Sequence, residues 1–213
     1  MNNFYFYDED YLALKKFNKK GTILDVGGNY GQSMYAFYNL TDSNIVSIEV
    51  VPDLYDILEK YKETFDDKNR IKVINDGVSD KEETLIWYEP ENKDYSGSFD
   101  KSFMETRKLN MVINEKELSC ARIDDMVKDI DDVWFIKMDV EGLEYKAIVG
   151  AIETIKKTYP ILLLEENSNK LVIYDLLKEW YDLKYYDYAN DRFCDERKTG
   201  INYWLIPKNE QVN

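Results

Sequence analysis

The stretch Ile23-Leu24-Asp25-Val26-Gly27-Gly28-Asn29-Tyr30-Gly31-Gln32-Ser33 leaves this chain few folds to choose from. An apolar run leads directly into small residues, and a helical pattern with Met34, Phe37 and Tyr38 follows. That order reads as a buried strand, a tight turn and the start of a helix. Gly carries no Cβ, so such a turn lets backbone N–H groups approach a ligand closely. The helix N-terminus adds partial positive charge. The first expectation is a ligand with a nucleoside or carboxylate end.

The same rhythm repeats downstream. Ile45-Val46-Ser47-Ile48-Glu49 reads as a second strand, and Pro52 opens a helix at its first turn, with Leu54, Ile57, Leu58, Tyr61 and Phe65 on one stripe. Ile71-Lys72-Val73-Ile74-Asn75 is a third strand, followed by an Asp76-Gly77 turn. After a break, Val133 to Met138 and Ile161 to Glu165 are nearly continuous apolar strands, separated by a helix from Leu143 to Ile155 that Pro160 stops. A helix around 169–181 and two strands, Tyr185 to Tyr188 and Asn202 to Ile206, joined by a polar loop, close the pattern. Alternating strands and helices predict an α/β fold with a parallel sheet. Residues 8–19 are a modest helix inside an N-terminal extension over 1–20. Residues 84–123 break the rhythm. Thr84 to Tyr88 and Leu118 to Ile123 read as strands, 89–116 is polar and irregular, and Asp124 to Lys128 is a short helix. The segment reads as an excursion within one domain spanning 1–213.

Composition narrows the partners. A net charge of −14 would be repelled by a phosphate backbone or an anionic bilayer, so neither nucleic acid nor membrane is expected. No apolar run approaches a membrane span, the first residues lack a signal peptide's pattern, and Cys120 and Cys194 read as free thiols. These features predict a cytoplasmic protein. There is no His, so any chemistry must use carboxylates, Lys, Tyr or a cofactor.

In open parallel sheets ligands bind beyond the carboxyl ends of the strands. Those ends are Asp25 to Gly31, Glu49, Asn75-Asp76, Asp139 to Gly142, and Glu165-Glu166. A dinucleotide turn, Gly-x-Gly-x-x-Gly, fits in neither register, because Asn29 or Tyr30 falls where the second Gly should be. The pattern that fits is acid-x-Gly-x-x-x-Gly, with Asp25, Gly27 and Gly31, which is the shape of an S-adenosylmethionine turn. Asp25 is then a partner for the ligand's ammonium group, directly or through water. Gly27, Gly28, Asn29, Gly31, Gln32 and Ser33 form the cradle for the methionine portion. Glu49 accepts two hydrogen bonds from the ribose diol, and Asn75, Asp76 and Gly77 meet the adenine edge. A carboxylate at Glu49 also rejects a 2′-phosphate by like-charge repulsion. The turn spacing and the lack of basic ribose-phosphate chemistry disfavour a nicotinamide oxidoreductase.

Asp25 to Gln32, Ile48 to Pro52, Asn75 to Asp80, Ile123 to Asp125 and, most specifically, Lys137-Met138-Asp139-Val140-Glu141-Gly142-Leu143-Glu144 resemble the FkbM family of methyltransferases over residues 21–166. The resemblance implies a Rossmann-like class I methyltransferase fold: a mostly parallel seven-stranded sheet with a C-terminal antiparallel hairpin and helices on both faces. It implies S-adenosyl-L-methionine as cofactor, with S-adenosyl-L-homocysteine as product, and methylation of a hydroxyl on a sugar or small natural product. Gly28 departs from the commoner Ala, and the 84–123 excursion carries weak family signals.

An alcohol is a poor nucleophile until its proton leaves, and without His the leading base is Asp139, which ends its strand nearest the expected methyl group and so also counts among the cofactor-binding residues. The competing reading has Asp139 capping the next helix or ordering its turn. Glu141 contacts acceptor hydroxyls or caps the same helix. Lys137 pairs with Asp139 or is a snorkelling structural Lys. Asp139, Glu141, Glu165 and Glu166 offer an oxygen-only set suited to magnesium or calcium, but no divalent metal is expected. Two loops are placed at the acceptor mouth by this reading, one with Arg192, Arg197 and Lys198, the other with Lys93, Lys101, Arg107 and Lys108; ordinary solvated charge is the blander account. Tyr95 and Ser96-Gly97-Ser98 form either a lid or a plain polar turn. The function expected is O-methylation of a small acceptor, a carbohydrate or sugar nucleotide first. N-methylation, another small-molecule methylation and a non-catalytic binding module stay open, as does oligomeric state.

Overall fold

The computed structural model describes residues 8–91, 97–107, 112–198 and 200–210. After a 3-10 helix, Glu9–Lys16, the chain runs through β1 (Thr22–Val26), α1 (Gln32–Leu40), β2 (Asn44–Ile48), α2 (Pro52–Lys62) and β3 (Ile71–Ile74). The excursion follows as β4 (Gly77–Val78), β5 (Glu83–Pro90), α3 (Lys101–Arg107) and β6 (Ile113–Ala121). The rest is α4 (Ile123–Met126), β7 (Val133–Met138), α5 (Glu144–Gly150), α6 (Ile152–Thr158), β8 (Ile161–Glu165), α7 (Lys170–Leu177), β9 (Tyr181–Asp187), β10 (Arg192–Cys194) and β11 (Asn202–Pro207). Among the described residues, no helix is long and apolar enough to cross a membrane.

The main sheet has the order β10-β9-β11-β8-β7-β1-β2-β3. β1, β2, β3, β7 and β8 are parallel, whereas β11 lies antiparallel between β8 and β9. The chain steps outward from β1 to β3, then restarts on the other side of β1 with β7, which makes the β1–β7 boundary the switch in strand order. The central strands β1 and β7 are buried at every position, as continuous apolar runs covered on both faces should be. Alternation along them sends Leu24, Val26, Ile136 and Met138 to one face, with Ala147, Ile148, Ile155 and Ile173 of the later helices. Ile23 and Phe135 go to the other face, with Met34 and Phe37 of α1, Leu58 of α2, and Tyr11 and Leu14 of the N-terminal 3-10 helix.

Several expectations are corrected. The sheet has eight strands rather than seven, because β10 forms inside the predicted polar loop and pairs with β9. The closing hairpin is therefore β9 and β11 with β10 on its outer edge. Within 89–116, expected to be irregular, β5 continues to Pro90, α3 forms and β6 begins at Ile113. β5 and β6 pair antiparallel over eight residues from Glu83↔Cys120 to Pro90↔Ile113, and β4 joins β6 in a second, three-stranded sheet. The helix predicted from Leu143 onward is two helices that meet at Ala151, and the N-terminal helix is 3-10 rather than α. Just before that division the backbone passes close to β4, and a Cβ on Gly150 would stand 2.0 Å from the Ser79 carbonyl oxygen.

Candidate active site

Strand register builds the site's foundation. Asp25 is the Cα partner of Ser47 on β2 and of Lys137 on β7, so three polar side chains form a row across the apolar layer that holds Ile23 and Phe135. Asp25 is 0% exposed. Its Oδ2 accepts from Ser33 Oγ at 2.8 Å and from Ser47 Oγ at 3.2 Å. Its Oδ1 has no hydrogen bond, and the Lys137 ammonium stands 3.7 Å away. Burial pushes the Asp25 carboxyl above its usual range, against the pull of Lys137, Ser33 and Ser47. Lys137 Nζ donates to the Gly27 carbonyl oxygen at 2.7 Å and also lies 3.7 Å from Asp139 Oδ2. One buried cation thus ties the turn after β1 to the acid after β7. Tyr11 packs edge-on to Phe37 in the same layer, and burial together with the negative charge of Asp25 drives its phenol pKa well up.

The turn itself is held by backbone. Gly27 and Gly28 donate to the Ile48 carbonyl oxygen at 2.9 and 3.1 Å, and Asp139 N donates to the Val26 carbonyl oxygen at 3.1 Å. Gly27 has φ +82°, and a Cβ there would fall 1.9 Å from the Asp139 carbonyl oxygen. No other residue fits both constraints. Glu49 extends from the end of β2 and is 5% exposed. Its Oε2 accepts from Asn29 N and its Oε1 from Val51 N, each at 2.8 Å. Burial raises its pKa, opposed by those two N–H groups and by Lys137.

Above these residues opens a cleft with about 610 Å³ of empty space, part of it continuous with solvent. Gly27, Asn29, Glu49, Asp76, Gly77, Asp139 and Glu141 line it, together with an apolar wall that includes Leu54, Trp87 and Phe99. Asp76 is fixed by Gly77 N at 2.9 Å and Ser119 Oγ at 2.8 Å, both on its Oδ1. Trp87 and Phe99 meet at 5.0 Å with their planes 70° apart, and Gly97 sits so close to the indole that a Cβ would be 2.3 Å from it. The excursion therefore supplies one wall of the cleft.

A second cavity, of about 900 Å³ of empty space and likewise open on one side, shares Asp139 and Glu141 with the first. Glu141 and Gly142 turn the chain between the two with φ +50° and +109°. A left-handed Glu costs strain that structures retain where position matters. Ser98 ties the excursion to this turn, because its Oγ donates to the Glu141 carbonyl oxygen at 2.6 Å while its backbone exchanges hydrogen bonds with Tyr88.

Of the residues expected at the site, Gly27, Asn29, Glu49, Asp76, Gly77, Asp139 and Glu141 are brought together around the first cleft. Asp25, Gly28, Gly31, Ser33, Asn75 and Lys137 lie behind its lining. Gly28 packs on Ser47 and Leu58, Gly31 precedes α1 with φ +84°, Ser33 holds Asp25, and Asn75 Nδ2 donates to the Glu49 carbonyl oxygen at 2.8 Å. Gln32 is exposed at the start of α1. The side chain of Asp139 is 44% exposed. Among the basic loop residues, Arg197 pairs with Glu166 at 3.1 Å, Lys198 with Glu196 at 2.9 Å and Lys101 with Glu115 at 2.9 Å. Arg192 begins β10 at the sheet edge. Lys93, Tyr95, Ser96 and Lys108 lie outside the described residues, and Gly97-Ser98 is the clamp just described. Among the described residues, no three carboxylate or thiol groups converge as a metal site. Sequence reasoning missed Trp87, Phe99, Asp100 and Glu144. Glu144 stands inside the Lys137 to Glu144 block and was visible there; the aromatic pair had no local signal.

The chain matches the Methyltransferase FkbM domain over residues 25–189. No curated protein sequence matches it. Among solved structures it is similar to the methyltransferase FkbM of Methylobacillus flagellatus, with a TM-score of 0.58 and 16% identity, over 93% of this chain and 50% of that one. The chain thus spans about half the length of that structure. It is also similar to a Clostridium thermocellum protein described provisionally as an rRNA methylase, with a TM-score of 0.55 and 12% identity over 95% and 94% of the two chains. A third likeness is to the precorrin-6y C5,15-methyltransferase of Geobacter metallireducens, with a TM-score of 0.50 and 8% identity over 92% and 83%. At these identities the three structures establish the α/β methyltransferase fold alone.

Proposed function

The chain belongs to the FkbM methyltransferase family, and we propose that it moves a methyl group from S-adenosylmethionine to a hydroxyl of a small acceptor, a carbohydrate or sugar nucleotide first among them. The observation that carries this reading is the shared wall. Asp139 and Glu141 line both cavities, so a donor in the first and an acceptor in the second would meet at Asp139.

The residues present fit such a donor. Gly27 offers backbone where a Cβ has no room, Glu49 would present a fixed carboxylate to the diol, Asp76 would meet the adenine edge, and Trp87 with Phe99 would give the base an apolar wall. When bound, S-adenosylmethionine supplies an electrophilic methyl carbon that leaves sulfur as a neutral thioether and joins the acceptor oxygen. The protein's part is positioning and proton handling. Asp139 takes the acceptor's hydroxyl proton, Lys137 holds Asp139 against the turn, and Asp25 orders that turn from beneath rather than meeting the ammonium group directly. Glu141, carried on a left-handed backbone, orients the acceptor. A divalent metal has no assembled ligand set among the described residues and is given no role.

Titration calorimetry with S-adenosylhomocysteine tests the donor half; folded protein that shows no binding removes the reading. Mass spectrometry of reactions with a panel of sugars and sugar nucleotides tests the acceptor half. The expected product is a methyl ether, and a product methylated only on nitrogen overturns the O-methyl assignment.

A further inference from the structure

The second cavity has a chemistry that hydroxyl methylation alone does not call for. Six carboxylates line it, those of Asp100, Asp139, Glu141, Glu144, Glu165 and Glu166, and none of its lining residues is basic. Cations stand beside Asp139 and Glu166 of this ring. Lys137 stands 3.7 Å from Asp139, and Lys170 and Arg197 stand 2.5 and 3.1 Å from Glu166. Among the described residues Asp100 and Glu144 meet no cation. Asp100 caps the turn into α3, its Oδ1 accepting from Ser102 N and Oγ and from Phe103 N.

Glu144 points to what is missing. It is 1% exposed, yet only its Oε1 is engaged, by Gly142 N at 3.1 Å; Oε2 has no hydrogen-bond partner and no contact with solvent. The buried hydroxyl of Tyr203 is likewise without a partner, and its pKa is raised by burial first and then by the charges of Glu144 and Glu166. A carboxylate taken out of water without a donor or a counter-charge is held at a cost that an incoming ligand relieves. Water can supply a donor but no positive charge. A divalent cation needs several converging oxygen ligands, and no three such groups converge here. An ammonium needs one carboxylate and a few acceptors around it, which this wall supplies.

We infer that the second cavity takes an acceptor bearing a protonated amine, with its ammonium against Glu144 and its hydroxyl toward Asp139. The inference rests on the methyl-transfer reading for the placement of the hydroxyl. It makes the ligand a small amine-bearing polyol, such as an amino sugar.

The test uses the intact chain saturated with S-adenosylhomocysteine, whose binding is measured first and judges the donor half separately. Calorimetry at low ionic strength then compares glucosamine with N-acetylglucosamine, and ethanolamine with ethylene glycol. The amine of each pair is expected to bind at least tenfold more tightly, with the preference shrinking as salt is added. Glu144→Gln should cut the preference to threefold or less. Glu166→Gln, on the rim, should lower it in the same direction and keeps the test intact if the buried variant fails to fold. Equal binding within both pairs overturns the inference, and so does a preference that survives in whichever variants fold.

Discussion

The two cavities meet at the turn from Asp139 to Gly142, and they are built on opposite principles. In the first, the lining carboxylates Glu49 and Asp76 are satisfied by the protein itself. Both oxygens of Glu49 are held by backbone N–H groups and Asp76 is fixed by Gly77 and Ser119. The unmatched oxygen there, Asp25 Oδ1, lies beneath the lining and faces the Lys137 ammonium at 3.7 Å. In the second, the carboxylates come from loops, a helix start and the end of β8, and Glu144, which lines the cavity, is buried with an oxygen unmatched and, among the described residues, no cation beside it. A pocket whose polar groups are already paired is preorganised for one ligand shape. A pocket with unmatched charge waits for the ligand to complete it. The difference also separates what the central strands dictate from what loops and the excursion can vary without disturbing the sheet.

The harshest way to break the comparison is Gly27→Ala. With φ at +82° and the Asp139 carbonyl oxygen 1.9 Å from the new Cβ, the turn must move. The expected loss is more than about 3 kcal/mol of stability, with S-adenosylhomocysteine affinity lost alongside. Thermal denaturation and calorimetry check it, and a variant that binds normally removes the cradle argument. Next comes Asp139→Asn, which should lower turnover by about 10²–10⁴-fold while leaving S-adenosylhomocysteine affinity within about threefold. Equal loss of both would assign Asp139 to the donor half and dissolve the boundary drawn here.

Glu49→Ala should weaken S-adenosylhomocysteine binding by about 1–3 kcal/mol and leave any amine preference of the second cavity unchanged. Unaltered donor affinity would remove its ribose role. The smallest effect lies outside both cavities, at a buried acid that lines neither of them. Asp10 is buried under β11, and burial, with a contribution from Asp8, raises its pKa from 3.8 to about 6, although Asn202 Nδ2 donates to it at 2.9 Å. The folded state binds this proton more tightly than the unfolded chain. The associated stability is therefore complete below pH 3.8 and lost as pH rises through about 6. Asp10→Asn should raise the melting temperature at pH 7, by the equivalent of about 1–2 kcal/mol, and the gap to wild type should close near pH 4. A constant gap across that range would mean that the group does not titrate as described.

The parallel strands were legible because strands covered on both faces read as continuous apolar runs, as Val133 to Met138 and Ile161 to Leu164 do. Glu49 and Asp139 were legible because strand ends are few and their order follows. The pairing of Lys137 with Asp139 was legible from their shared strand face, and the structure has it at 3.7 Å. Its contacts with Asp25 and Gly27 were not, because those residues lie more than 100 residues away and are set by register rather than by neighbours in sequence. The division at Ala151 escaped because the apolar spacing runs on through it, from Ala147 and Ile148 to Ile152 and Ile155. β10 lies at a sheet edge with Arg192 exposed, so it shows none of the alternation that marks a half-buried strand. The Trp87–Phe99 wall depends on how 97–100 folds back over β5, a pairing that neither segment announces alone.

The placement of β11 has a consequence for how the molecule is made. It follows β8, β9 and β10 in the chain and is the last strand among the described residues, yet it occupies an interior slot between β8 and β9 and carries the fully buried Tyr203, Trp204 and Leu205. Until those residues leave the ribosome, β8 and β9 cannot pair with each other across the gap that β11 must fill, and both present open apolar edges. The nascent chain therefore passes through a state exposed to wrong pairing until β11 emerges, and that strand acts as the key that locks the sheet shut.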